Sequence, residues 1–184
     1  MRKAEILLHG SFATTGIGHG TDKALVAGLL GMRPDDIRIP DSFFLAKRDG
    51  MEFSFSTITL KDAHPNTAVL RLTGEHGRKI EVQAASIGGG RILIAKLDGI
   101  EVNFSAEKPT LIVHNVDQPG HVAQVTSMLA EKQVNIATLQ LYRDKRGGYA
   151  VMVIETDQEV PEESVAWLEQ LDGIIKVTYI NLEE

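Results

Sequence analysis

Apolar positions recur along this chain in two rhythms. Ile6, Leu7 and Leu8 form a continuous apolar run that reads as a buried strand, while Ala24, Leu25, Val26, Leu29 and Leu30 share one side of a helical wheel. The glycine-rich stretch His9-Gly10-Ser11 to Gly18-His19-Gly20-Thr21-Asp22 separates them, so strand, loop and helix follow in order. Pro34-Asp35-Asp36 and Pro40-Asp41-Ser42 carry turn or cap chemistry, and Asp41 or Ser42 starts a short helix through Phe43, Phe44, Leu45 and Ala46 that ends near Asp49-Gly50. Phe43 and Phe44 are read as core. Met51, Phe53 and Phe55 then alternate with Glu52, Ser54 and Ser56, the pattern of a half-buried strand. Further strands are predicted over 67–73, 80–85, 91–97 and 100–104. Glu75-His76-Gly77-Arg78 forms a solvated turn with His76 at the surface, and Asp98-Gly99 is a strong hairpin signal. The first domain, residues 1–107, is thus an α/β start followed by an antiparallel meander.

A second domain, 108–184, begins near Lys108-Pro109. Its pattern predicts strands over 110–113, 134–141, 149–155 and 174–180, with helices over 119–132 and 161–171. That order, βαββαβ, is the ferredoxin-like arrangement, and the whole chain is α+β. Trp167 on the second helix is read as a packing residue.

Composition narrows the function. With 184 residues and 43% apolar content the chain can fill one large or two small cores. No run approaches the roughly twenty apolar residues of a membrane span, and no charged amino terminus leads into a signal-like apolar run, so a cytoplasmic protein without membrane attachment is expected. A net charge of −6 with scattered basic residues offers no cationic stripe for nucleic acid. The chain has no cysteine, which removes disulfides, zinc thiolate sites and a cysteine-ligated iron-sulfur cluster from this polypeptide.

The glycine stretch is the first candidate for chemistry. A loop leading into a helix N-terminus offers backbone amides and the positive end of a dipole to a phosphate or carboxylate, and Gly16, Gly18 and Gly20 permit close approach. A flexible connection accounts for the same residues. The phosphate-loop pattern fails because Gly20 is followed by Thr21 and Asp22. The dinucleotide fingerprint fails because Thr21 stands where its third glycine belongs. What is left is an imidazole, His19, beside a hydroxyl and a carboxylate; His19 can accept a proton near neutrality, and Asp22 can orient or tune it. His64-Pro65-Asn66-Thr67 joins an imidazole, a fixed φ and two hydrogen-bonding side chains just before a strand, which a polar turn also explains. Gly88-Gly89-Gly90 after Ser86 exceeds what a two-residue hairpin requires; a flexible tip accounts for it, and close approach of a ligand or another chain accounts for the extra glycine.

The run from Gly10 to Leu25, together with Arg38-Ile-Pro40, His64-Pro-Asn-Thr67 and Ser86-Ile-Gly-Gly-Gly90, resembles the signature of the β chain of iron-sulfur L-serine dehydratases, in the family's order and over nearly the whole chain. The resemblance implies that His19 removes the α-proton of L-serine, and that Ser11, Gly18, Gly20, Thr21, Asp22, His64, Asn66, Thr67, Ser86, Gly88 and Gly89 line the substrate site. It also implies a [4Fe-4S] cluster with an open iron. Because this chain has no thiolates, that cluster belongs on a separate, cysteine-bearing α chain. Family β chains carry an upstream Gly-Pro-Ser-Ser-Ser-His-Thr segment that these residues do not include, so the first domain is N-terminally shortened relative to that pattern.

Asn115-Val-Asp117-Gln-Pro119-Gly120, followed by Val134-Asn-Ile-Ala137, resembles an ACT domain, and most closely the serine-sensing one of bacterial phosphoglycerate dehydrogenase. By that resemblance Asn115, Asp117, Gly120 and Asn135 bind an effector, and the domains pair into a homodimer. Asn115 stands where the sensing module has histidine and Asp117 where it has asparagine; a carboxylate there suits an ammonium and repels a carboxylate. Helix capping by Asp117-Gln118-Pro119 and a strand start at Asn135 explain the same residues. The alternative to a catalytic β subunit is a non-catalytic amino-acid-binding regulatory module. An independent hydrolase or nucleotide enzyme lacks both a nucleophile with a paired base and an intact phosphate motif.

Overall fold

The computed structural model describes residues 1–181. The chain divides into two compact units, the first Met1–Gly99 and the second from Ile100 onward. The strand after Gly99 carries Asn103, whose N–H donates to Tyr142 Oη at 3.0 Å within the second unit.

In the first unit β1 (Lys3–Gly10) leads through α1 (Ser11–Thr15) into α2 (Thr21–Leu29). A 3-10 turn at Ile39–Asp41 precedes α3 (Ser42–Arg48), and β2 (Glu52–Thr57), β3 (Asn66–Thr73), β4 (Lys79–Gly88) and β5 (Arg91–Leu97) complete the unit. The strands lie in the order β2-β1-β3-β4-β5. β1 runs parallel to β2 and antiparallel to β3, and β3, β4 and β5 form the meander. Alternation along β1 sends Ala4, Ile6 and Leu8 into a core with Val26, Ala46, Met51 and Ala68. Phe43, Phe53 and Phe55 pack beside it with ring centroids 5.0–6.1 Å apart.

Three expectations need correcting here. The glycine stretch is not a continuous loop: Ser11–Thr15 winds into a short helix, with Thr15 Oγ1 donating to Ser11 O at 3.0 Å. Phe44 is not core; it is 69% exposed, since only the Phe43 side of so short a helix can face the sheet. The strand expected over 80–85 runs on to Gly88, past a register shift between Ser86 and Gly88.

Asp98 and Gly99, with φ of 47° and 84°, turn the chain into β6 (Ile100–Phe104). β7 (Thr110–Val116), α4 (His121–Glu131), β8 (Ile136–Arg143), β9 (Tyr149–Thr156), α5 (Glu162–Leu168) and β10 (Ile174–Ile180) follow as βαββαβ, in sheet order β10-β7-β9-β8. Leu111, Val113, Met152 and Ile154 from the strands bury against Val125, Leu129 and Leu168 from the helices. Trp167 is 43% exposed, and it lines a groove between α4 and α5 with Ala123, Ser127 and Met128.

Candidate functional site

The strand order decides where the site forms. β2 and β3 flank β1 on opposite sides, so the connection 58–65 must cross the C-terminal end of β1, where the glycine stretch begins. The carboxyl end of a parallel β1/β2 pair is also where α/β sheets expose their loops to ligands.

The crossing is close. Ile58 N–H donates to Leu8 O at 3.0 Å, and Leu60 N–H donates to His9 Nδ1 at 3.2 Å. At the far side Gly10 lies opposite Asn66 in register, and a Cβ on Gly10 would stand 2.5 Å from Pro65 O. Gly10 also adopts φ 57°, ψ −125°, a conformation open to glycine. The glycine at the head of the first motif is therefore required by the backbone of the second.

Beyond α1 the chain closes on itself: His19 N–H and Thr21 N–H both donate to Gly16 O, at 3.1 and 2.9 Å. Gly20, at φ 72°, precedes α2, and Asp22 Oδ1 accepts the Lys23 N–H at 2.9 Å. His19 and Gly18 are exposed, while Thr21 and Asp22 are half-buried. The imidazole of His19 is thus presented outward rather than packed into the core. Three large apolar side chains are exposed on neighbouring elements: Ile17 in the same loop at 73%, Ile37 before the 3-10 turn at 92%, and Phe44 on α3. Ser42 Oγ, donating to Lys23 O at 2.9 Å, ties the start of α3 to the start of α2.

The second and third motifs arrive at the same sheet end. His64 is exposed; its Nδ1 accepts Asn66 N–H at 3.1 Å, and Thr67 Oγ1 donates to His64 O at 2.6 Å. Neutral His64 with Nδ1 so engaged carries its proton on Nε2. Thr67 is buried and opposite Ala85, so Ser86 to Gly88 on β4, with Gly89 just past its end, lie level with Asn66 and the residues before it. Gly88, Gly89 and Gly90 have φ of 91°, 64° and 76°, which explains all three glycines by conformation, and nothing stands within 4 Å of where their Cβ atoms would be. Ser11, His64, Asn66, Thr67, Ser86, Gly88 and Gly89 therefore lie at one end of the first unit's sheet, while Gly18, His19, Gly20, Thr21 and Asp22 follow α1 in the loop and the first turn of α2. No group of three or more His, Cys, Asp or Glu side chains placed to hold a metal occurs among the described residues. Nor is any helix among them long and apolar enough to cross a membrane.

In the sequence His9 stands at the head of the glycine-rich stretch with no role assigned to it. The available signal was a histidine adjoining the glycine motif; the Leu60 N–H that its Nδ1 accepts lies 51 residues away.

In the second unit the candidate effector residues do not share one end. Asn115 is buried at the end of β7, with Nδ2 donating to Val116 O at 2.7 Å and Oδ1 without a hydrogen-bond partner among the described residues. His121, at the start of α4, is buried too, and its Nε2 is likewise unpaired. Gly173 joins the two positions: Val116 N–H donates to its carbonyl at 2.9 Å, and a Cβ on Gly173 would stand 2.6 Å from His121 Nε2. Gly120, at φ 107°, begins α4. Asp117 is occupied structurally, accepting Gly147 N–H at 2.9 Å and Arg143 Nη1 at 3.2 Å. The Gly147 N–H, followed by Arg143, holds its carboxyl below the usual range. Asn135 precedes β8, with Nδ2 donating to Asp157 Oδ2 at 2.6 Å. Ile136 is level with Thr156 and Arg143 with Ala150, which in turn faces Asn115, so Asn135 lies at the opposite end of the sheet, about 20 Å of strand away.

Comparison with known proteins agrees with both motif sets. Residues 1–44 match the family model of the serine dehydratase beta chain, and 109–173 match the ACT domain. The chain is 38% identical over 161 residues to the L-serine dehydratase beta chain of Peptoniphilus asaccharolyticus, covering 87% of this chain and 72% of that one. It is 36% identical over 175 residues to a probable L-serine dehydratase beta chain of Bacillus subtilis, covering 95% and 79%. A D-3-phosphoglycerate dehydrogenase of Archaeoglobus fulgidus matches at 26% over 185 residues, covering 99% of this chain and 34% of the enzyme. Three motifs meeting at one sheet end, a ferredoxin-like second unit and this coverage together place the chain in the L-serine dehydratase β-chain family, with a C-terminal ACT domain.

Proposed function

We propose that this chain is the β subunit of an iron-sulfur L-serine dehydratase, converting L-serine to pyruvate and ammonia in the cytoplasm, with His19 as general base. The observation that carries the reading is the meeting of Gly10 at the head of the glycine stretch, His64–Thr67 and Ser86–Gly89 at one sheet end, with the His19 imidazole exposed in the loop that follows α1. The α-proton of serine passes to His19, the Cα–Cβ double bond forms as the Cβ–O bond breaks, and the departing hydroxide takes up a proton to leave as water. The resulting aminoacrylate tautomerises to an imine, which water splits into pyruvate and ammonia. His64, Asn66, Thr67 and the backbone of Gly18, Gly20, Gly88 and Gly89 hold and orient the amino acid.

The described residues of this chain do not fit a [4Fe-4S] cluster, because the sequence has no thiolate and no alternative ligand cluster forms. We assign the cluster to a cysteine-bearing α chain and derive no step through it. The exposed Ile17, Ile37 and Phe44 give that partner apolar surface to cover near the site. Exchange of His19 for alanine, assayed anaerobically with the α chain, is expected to lower pyruvate formation about 10²–10⁴-fold with melting temperature and co-purification unchanged. Turnover near wild type in that variant sinks the catalytic assignment.

A second reading has its own support. Buried Asn115 Oδ1 and His121 Nε2 lack partners around Gly173, and such atoms are costly to leave unsatisfied. Matches to phosphoglycerate dehydrogenases extend over both units rather than the ACT region alone. In this reading the second unit binds an amino acid at 115–121, and Asn135 joins such a site only from a second copy in an ACT-mediated homodimer.

A further inference from the structure

We infer that His9 is a positioning residue: its Nδ1 ties down the segment 58–65 that crosses the end of β1 and sets His64 beside the glycine stretch. The inference rests on the dehydratase reading for its functional consequence, but the tie itself is a property of this chain.

Topology creates the need for such a tie. With strands in the order β2-β1-β3, the crossing segment has no neighbour in the sheet, and its backbone must find partners elsewhere. It starts with Ile58 N–H on Leu8 O and finishes where Gly10 admits Pro65. Between those ends His9 supplies a side-chain acceptor from the strand being crossed: Leu60 N–H meets its Nδ1 at 3.2 Å, with Ile58 O at 3.3 Å from the same nitrogen. Past Leu60 come Lys61, Asp62 with φ 55°, Ala63 and then His64, which is hydrogen-bonded to Asn66 and Thr67. Those local bonds fix the imidazole relative to β3. Its placement relative to the glycine stretch needs the crossing segment held on β1, which His9 and Gly10 do from adjacent positions. His9 is also directly opposite Thr67 in the β1/β3 register, so one residue borders both the exit from β2 and the entry to β3.

The chemistry asks for an acceptor two bonds beyond Cβ. Asparagine places Oδ1 where Nδ1 stands, glutamine reaches one atom farther, and alanine supplies nothing. The test compares His9→Ala, His9→Gln and His9→Asn in the full chain, reading amide hydrogen exchange at Leu60 and the ring resonances of His64 by NMR, then kcat and KM for pyruvate formation with the cluster-bearing chain. Leu60 exchange is expected to quicken roughly fivefold or more in the alanine and glutamine variants and to stay near wild type in the asparagine variant. The His64 resonances should move in the same two variants. kcat should fall about 10- to 100-fold in those two and recover in His9→Asn, since misplacement of a site group by about 1 Å has an effect of that order. Unchanged Leu60 exchange in His9→Ala, or failure of His9→Asn to restore exchange and kcat where His9→Gln does, overturns the inference. A wild-type assembly that makes no pyruvate while the exchange pattern holds defeats the dehydratase reading and leaves the tie standing.

Discussion

The first sheet gathers residues far apart in sequence, while the second separates residues close together in it. His9 and Leu60 are 51 positions apart and hydrogen-bonded. Asn115 and Asn135 are 20 positions apart and sit at opposite ends of a sheet. The cause is strand direction. In the first unit β1 and β2 end, β3 begins and β4 ends at one edge, so every motif lying just beyond those positions meets the others. In the second unit β7 ends where β8 does, and Asn135 precedes β8, so one intervening helix carries it to the far side. Proximity along the chain says little about a shared site; the polarity of the strands that carry the residues says a great deal.

The crossing over β1 is most vulnerable at Gly10. Gly10→Ala adds a Cβ 2.5 Å from a backbone oxygen and holds alanine at φ 57°, so unfolding stability should fall by about 2–4 kcal/mol, read by urea titration. A near-neutral result would mean that the crossing segment does not lie on β1 as described. A smaller effect is expected from Asn135→Ala. Its exposed bond to Asp157 limits the stability change to within about 1 kcal/mol, and calorimetry with L-serine should show no change at concentrations where the chain is a monomer. Weakened binding in the monomer would place Asn135 in the 115–121 site after all.

The smallest effect concerns the loop that carries Ile37. Arg38, by its side-chain bonds and then its backbone N–H, lowers Asp36 from 3.8 to about 2. A depressed carboxylate contributes stability above its ordinary value and loses it as pH falls through the lowered one, so this ion pair matters above pH 3.8 and is gone below about 2. In Arg38→Gln the Asp36 midpoint, followed by NMR titration, should return toward 3.8. An unmoved midpoint removes Arg38 as the cause.

Much of this was legible beforehand because hydrophobic periodicity is local. The alternation at Met51, Phe53 and Phe55 and the helical spacing at Leu25, Val26 and Leu29 gave the strand and helix, and Asp98-Gly99 gave its turn. Phe44 was misjudged because a seven-residue helix has one buried face, and adjacent phenylalanines cannot both occupy it. Helix α1 was missed because Ser11-Phe12-Ala13-Thr14-Thr15 is too short for a period to register, and its hydroxyl bonds to backbone carbonyls appear only once it is wound. His9 was missed for a different reason: nothing within its own window hints at partners that topology delivers from 58–60.

Short-range pattern and plain inventory set the elements, the absence of thiolates and the residue types available for proton transfer. Tertiary structure alone decided that β2 and β3 flank β1, that residues 58–65 therefore cross its end, and that His9, Gly10, His64 and Ser86 become neighbours. It likewise decided that Asn135 stands away from Asn115. Strand order and polarity are set by burial summed over the whole sheet, and no local run of residues encodes that sum.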